Sequence, residues 1–174
     1  MLRKFGVQVY PNYRALKFVT TVKPNWLKIL DPELNPDITI ELINTVRSWG
    51  GEVIFRHVSF FDHRNPSQNP QEHLEELFRN FYDPTGLHPW GLELFNEPGS
   101  DPNTAESLNR YYAVSAPILL RRGIRPVLFN FSTGNPNGRP SLLVPDGCVL
   151  GAHEYAIFRD GKIDLSVPWH IGRI

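Results

Sequence analysis

Residues 91–100 read GLELFNEPGS: an apolar run closes on an amide, Asn96, and a carboxylate, Glu97, then stops at Pro98-Gly99. A glutamate in that place is a candidate for general acid/base chemistry, and the asparagine beside it a candidate hydrogen-bond donor. Pro98 holds Glu97 in extended backbone and ends the strand, so the pair is presented at its tip. The plainer reading is a loop carboxylate capping the helix that follows. Further candidates are Arg56-His57 in VIFRHV and the run His153-Glu154-Tyr155 in AHEYA. Other chemistries find little footing. FFDHRN with His57 has no distinctive metal-ligand spacing, so it reads as a loop and no metal is expected. Cys148, the only cysteine, sits in an apolar run and reads as a small buried hydrophobe rather than a nucleophile. No serine occupies a G-x-S-x-G elbow.

These residues must be carried by regular elements. Short apolar runs rich in Val, Ile, Leu and Phe predict strands over 5–10, 26–30, 52–58, 92–97, 126–132 and 148–156, covered on both faces. Between them, PDITIELINTVRSWG places Ile38, Leu42, Val46 and Trp49 on one helical face and stops at Gly50-Gly51. NPQEHLEELFRNFY opens with Asn69 as a cap, Pro70 at the first helical position and Glu72 at the capping-box position. A third helix starts at Asp101-Pro102 and ends at Arg121-Arg122-Gly123, with Pro117 predicting a kink or a break. The first and fifth gaps are short and proline-rich, which predicts brief or irregular connections.

Strand and helix therefore alternate, and the fold class is α/β with a parallel sheet and right-handed crossovers. A (β/α)8 (TIM) barrel and an open doubly wound sheet both fit. No G-x-G-x-x-G follows the first strand and no G-x-x-x-x-G-K-[ST] occurs, which weakens the nucleotide-binding folds. Tyr10, Asp31, Arg56 with His57, Asn96 with Glu97, Asn130, and His153 with Tyr155 all fall at C-terminal ends of these strands. In a barrel those ends surround one mouth, where such folds carry their chemistry.

At this point the chain resembles a known group. LFNEP at the end of a fourth strand is similar to the Asn-Glu-Pro signature of clan A glycoside hydrolases, retaining enzymes on a (β/α)8 barrel. HEY at the end of the sixth resembles the His-x-Tyr often found there, and Arg56 resembles a mouth arginine of such enzymes. The resemblance implies retaining hydrolysis of β-glycosidic bonds in an oligo- or polysaccharide, without a cofactor. That reaction needs an acid to protonate the leaving oxygen and a carboxylate nucleophile about 5–5.5 Å away. By the resemblance Glu97 is the acid/base, its pKa raised by partial burial, and Asn96 donates to the sugar 2-hydroxyl. Arg56, His153, Tyr155 and Tyr10 are then expected to bind substrate. Trp90 and Trp169 are candidates to stack on sugar rings, although packing is the commoner role of an indole.

Strand alternation sorts the neighbours. His153 and Tyr155 share a face and Glu154 points the other way, toward the helices or the rim. Glu93, Phe95 and Glu97 should share a face, which would bury Glu93 in the barrel beside a partner such as Arg56, or leave it at a solvated bottom.

In the clan the nucleophile is a glutamate ending strand seven, and residues 156–174 hold no second strand-helix unit and no glutamate. The expectation is one domain over 1–174, a barrel seen through about six of its eight strands. Such a chain would be a fragment of a longer enzyme, a partner of another copy or of a complementing C-terminal half, or a non-catalytic carbohydrate-binding or scaffold module. Alone it should be a poor hydrolase. Lys plus Arg and Asp plus Glu are both 18, which removes the electrostatic case for nucleic acid or anionic lipid. No apolar run approaches the roughly 18 residues of a membrane span, and the N-terminus lacks the apolar core of a signal peptide. A soluble protein is expected, cytoplasmic by default.

Overall fold

A computed structural model describes residues 6–61, 64–66, 68–95, 102–131, 146–152, 158–159 and 162–163. The chain begins with strand β1 (Gly6–Val9), helix α1 (Tyr13–Val22) and strand β2 (Trp26–Leu30). A 3-10 turn over Pro32–Leu34 leads into α2 (Pro36–Arg47) and β3 (Glu52–Arg56). Then come the single turn α3 (Val58–Phe61), α4 (Pro70–Leu77), a π-helical segment (Phe78–Tyr82) and α5 (Asp83–Thr85). Strand β4 (Gly91–Glu93), α6 (Pro102–Arg121), β5 (Arg125–Phe131) and β6 (Val149–Ala152) follow. A separate antiparallel pair, β7 (Phe158–Arg159) and β8 (Lys162–Ile163), lies beyond them.

The protein is thus α/β, with β1 to β6 in one parallel sheet whose spatial order is the order of the chain. The reversal of order that marks the switch point of a doubly wound sheet does not occur among these strands. Because all six are parallel, their C-terminal ends lie on one side of the sheet.

Register assigns the two faces. Leu27, Ile29, Val53, Phe55, Leu92 and Leu128 point one way and join Leu42, Val46, Leu74 and Leu108 of the helices in one buried core. The other face carries Gln8, Lys28, Ile54, Arg56 and Glu93. The helix-covered face is apolar and the opposite face carries charge.

Local chemistry starts and stops the helices. Asn12 caps α1 by accepting from the Ala15 N–H at 2.9 Å, and Asn35 and Asn69 cap α2 and α4, each followed by proline. At the end of α2 a Cβ on Gly51 would stand 2.6 Å from Val46 Cγ1, so the return into β3 needs glycine.

Three expectations are corrected. The first connection is neither brief nor irregular but a ten-residue helix, because Pro11 and Pro24 lie outside its ends. Of the kink or break expected at Pro117, the break does not occur: helix α6 runs on through it, with Ala116 and Leu119 buried in the core. Strand β4 ends at Glu93, short of Leu94 and Phe95, so strand alternation cannot be carried on to Glu97.

Candidate functional site

The C-terminal ends of β2, β3 and β4 place a group of polar side chains together. Leu30 registers with Arg56, and Arg56 with Glu93. Glu93 is fully buried and sits between two cations: its Oε2 pairs with Lys28 Nζ, and its Oε1 lies 3.6 Å from Arg56 Nε. Of the two positions considered for Glu93, the buried one paired with Arg56 is found. Phe95 does not share its face: it packs on Phe61 and, ring to ring at 4.9 Å, on Tyr111 of α6. With the strand ended at Glu93, the chain turns its apolar residues back toward the helices.

A second cluster surrounds the residue after Arg56. His57, itself buried, approaches Glu33 Oε2 through Nδ1 at 2.8 Å and the Tyr82 hydroxyl through Nε2 at 3.1 Å. Burial, and secondarily the Glu33 charge, push the Tyr82 hydroxyl well above its ordinary pKa, so it stays protonated. Nδ1–H donating to Glu33 and Tyr82 O–H donating to Nε2 then satisfy all three groups. Burial alone would raise the Glu33 carboxyl; its hydrogen bond with His57, and the imidazolium charge when present, outweigh burial and hold it below the ordinary value. Asp31 Oδ1 accepts from the Ser59 N–H and hydroxyl, both at 3.0 Å, and Ser59 Oγ also reaches Glu33 Oε1 at 3.2 Å. The Asp31 N–H donates to the Arg56 carbonyl at 2.8 Å as the last rung of the β2–β3 ladder, and the residue then turns the chain with a left-handed backbone, φ 43°.

Of the residues expected at the site, Arg56 lies at this strand-end cluster. Tyr10 also follows the C-terminal end of its strand, with about half of its surface exposed. Trp90 is at the other end. It precedes the first residue of β4, packs edge-on against Trp26 at 4.6 Å and lies under the Arg125 guanidinium. Trp90 therefore packs at the N-terminal ends of the strands and does not join Arg56. Asn96, Glu97, His153, Glu154, Tyr155 and Trp169 lie outside the described residues, and Asn130 falls within β5.

Sequence reasoning missed Lys28, Glu33, Ser59 and Tyr82. Lys28 interrupts an apolar strand at an alternate position, which was its available signal. Tyr82 reaches His57 from the π-helical segment, whose shift of register no periodicity reveals. Cys148, expected to be buried, is half-buried against the core, with burial and then Asp146 pushing its thiol pKa up. Among the described residues no group of His, Cys, Asp and Glu is arranged to hold a metal ion, and no helix is long and apolar enough to cross a membrane. No protein-family model, curated protein or solved structure matches the chain.

Proposed function

We propose that this chain is a glycoside hydrolase-like protein on a (β/α) barrel, acting on β-glycosidic bonds with Glu97 as general acid/base. The observation that carries the reading is six parallel strands in unbroken chain order, with Arg56 and Glu93 paired where β3 and β4 end. Sequential parallel order is the order of a barrel, and strand ends on one side are where barrel enzymes gather their groups. Asn96 and Glu97 follow Glu93 by three and four residues, so the Asn-Glu-Pro run begins a short chain length beyond that pair.

In this mechanism Glu97 protonates the departing oxygen while a carboxylate nucleophile, for which residues 156–174 hold no glutamate, bonds to the anomeric carbon. Water then displaces that carboxylate with Glu97 as base, and Asn96 donates to the 2-hydroxyl as positive charge develops on the sugar. Arg56, paired with Glu93, offers guanidinium donors to sugar hydroxyls or to a carboxylate. The substrate is an oligo- or polysaccharide, bound with His153, Tyr155 and Tyr10 as further contacts. A non-catalytic carbohydrate-binding module would use the same contacts without turnover.

Calorimetric titration of the chain with cellotetraose and mannotetraose tests the reading. Saturable binding is expected, weakened about ten-fold or more in Arg56→Ala through loss of a charge-assisted hydrogen bond. Absence of binding, or binding indifferent to Arg56, would contradict it.

A further inference from the structure

The end of β3 is gripped from both sides. On one face Glu93 holds the Arg56 side chain; on the other, the next residue, His57, is pinned between Glu33 and Tyr82. Between these grips the Arg56 carbonyl accepts from the Asp31 N–H, the last rung of the parallel β2–β3 ladder. Asp31 then turns the chain with a left-handed backbone that L-residues seldom adopt. Tyr82 in turn comes from a π-helical segment, a local register change that costs regular helix geometry. A ladder bond from the end of β2 and a tether from an irregular helix thus meet at the junction of Arg56 and His57.

We infer that Glu33, His57 and Tyr82 are positioning residues for Arg56, a polar thread on the helical side that fixes the direction in which the guanidinium leaves the strand end. His57, the residue just after β3, packs with Phe55, Phe81 and Tyr82 while Arg56 faces Glu93. Tethering His57 at both ring nitrogens therefore fixes the peptide that joins them, and with it the direction of the Arg56 Cα–Cβ bond. A guanidinium carries its donors in a rigid fork, and its value as a ligand contact depends on that direction being set beforehand. The neighbours leave His57 no other polar role: its ring is enclosed by Phe81 at 4.9 Å and Phe55 at 6.3 Å, and neither nitrogen faces solvent. What Arg56 contacts in a ligand rests on the glycosidase-like reading; the thread itself does not.

The Arg56 Nε–H resonance of the full chain, assigned by its disappearance in Arg56→Lys, reads the thread directly. His57→Phe keeps an aromatic ring among Phe55 and Phe81 but removes both polar tethers. It is expected to shift or broaden that resonance and to weaken cellotetraose binding about ten-fold, comparable to losing one charge-assisted hydrogen bond. Glu33→Gln retains an acceptor for Nδ1–H and should restore most of the wild-type signal. Val46→Ala, a core change at the far end of α2, should leave the resonance in place. Should His57→Phe fail to fold, Tyr82→Phe cuts the thread at its other end and is read the same way. An unshifted Arg56 resonance in a folded His57→Phe or Tyr82→Phe variant would overturn the inference. A shifted resonance supports it, and if the wild type then binds neither tetrasaccharide, the glycosidase-like reading fails while the thread stands.

Discussion

At the residue scale the sharpest feature is a carboxylate with no exposed surface. Glu93 owes its place to Lys28 and Arg56, because a buried charge without partners would cost several kcal/mol. Its pairing with Arg56 was one of two readings the sequence left open, since the alternation of LELF fits either a buried acid beside a cation or an acid at a solvated end of the sheet. The contribution of Lys28 was not legible, because β-strand register is a long-range property that a single strand does not record. Glu93→Ala leaves two cations facing one another, so it should destabilise the protein by about 3–5 kcal/mol, read as a lower urea midpoint at unchanged slope. Lys28→Met leaves the Arg56 contact and should cost less. Equal losses would show that Arg56 plays no part in compensating Glu93.

At the element scale, helices whose ends are marked by Asn-Pro and whose faces repeat every three to four residues were readable directly, as for α2 and α4. Helix α1 was obscured by the prolines outside its ends and by its β-branched Val and Thr residues, and the buried Ala15 and Val19 that decide it are few. The π-helical segment and the turn at Asp31 answer to tertiary packing and left no local signal. Between α4 and α6, His73 Nδ1 meets the Tyr111 hydroxyl at 3.1 Å in a buried contact. Burial, then the Arg64 charge, lower the His73 pKa below its ordinary 6.5. The unfolded chain therefore takes up this proton first. The stability tied to neutral His73 is present above about pH 6.5 and falls as pH drops through that value toward the lower folded pKa. Glu33, also held below its ordinary 4.5, adds a second window: its contribution is present above that value and is lost as pH falls through its folded pKa. Denaturation midpoints measured from about pH 8 down to about pH 3 should show both declines, and His73→Gln should flatten the upper one alone. An upper decline that persists in His73→Gln would assign it to another group.

At the scale of the whole molecule, the order of strands carries more meaning than any one motif. Alternating apolar runs predicted a parallel sheet but left its strand order open; the six strands follow chain order, with apolar residues toward the helices and charge on the opposite face. That sidedness turns Arg56 and Glu93 from scattered polar residues into one cluster, and it removes Trp90 to the opposite end. The measurement that bears most directly on the account is release of the aryl group from aryl β-glycosides by the wild-type chain and by Glu97→Gln under the same conditions. Slow turnover is expected, falling by about 10²–10⁴-fold when the acid/base is replaced. A rate in Glu97→Gln equal to that of the wild type would contradict it.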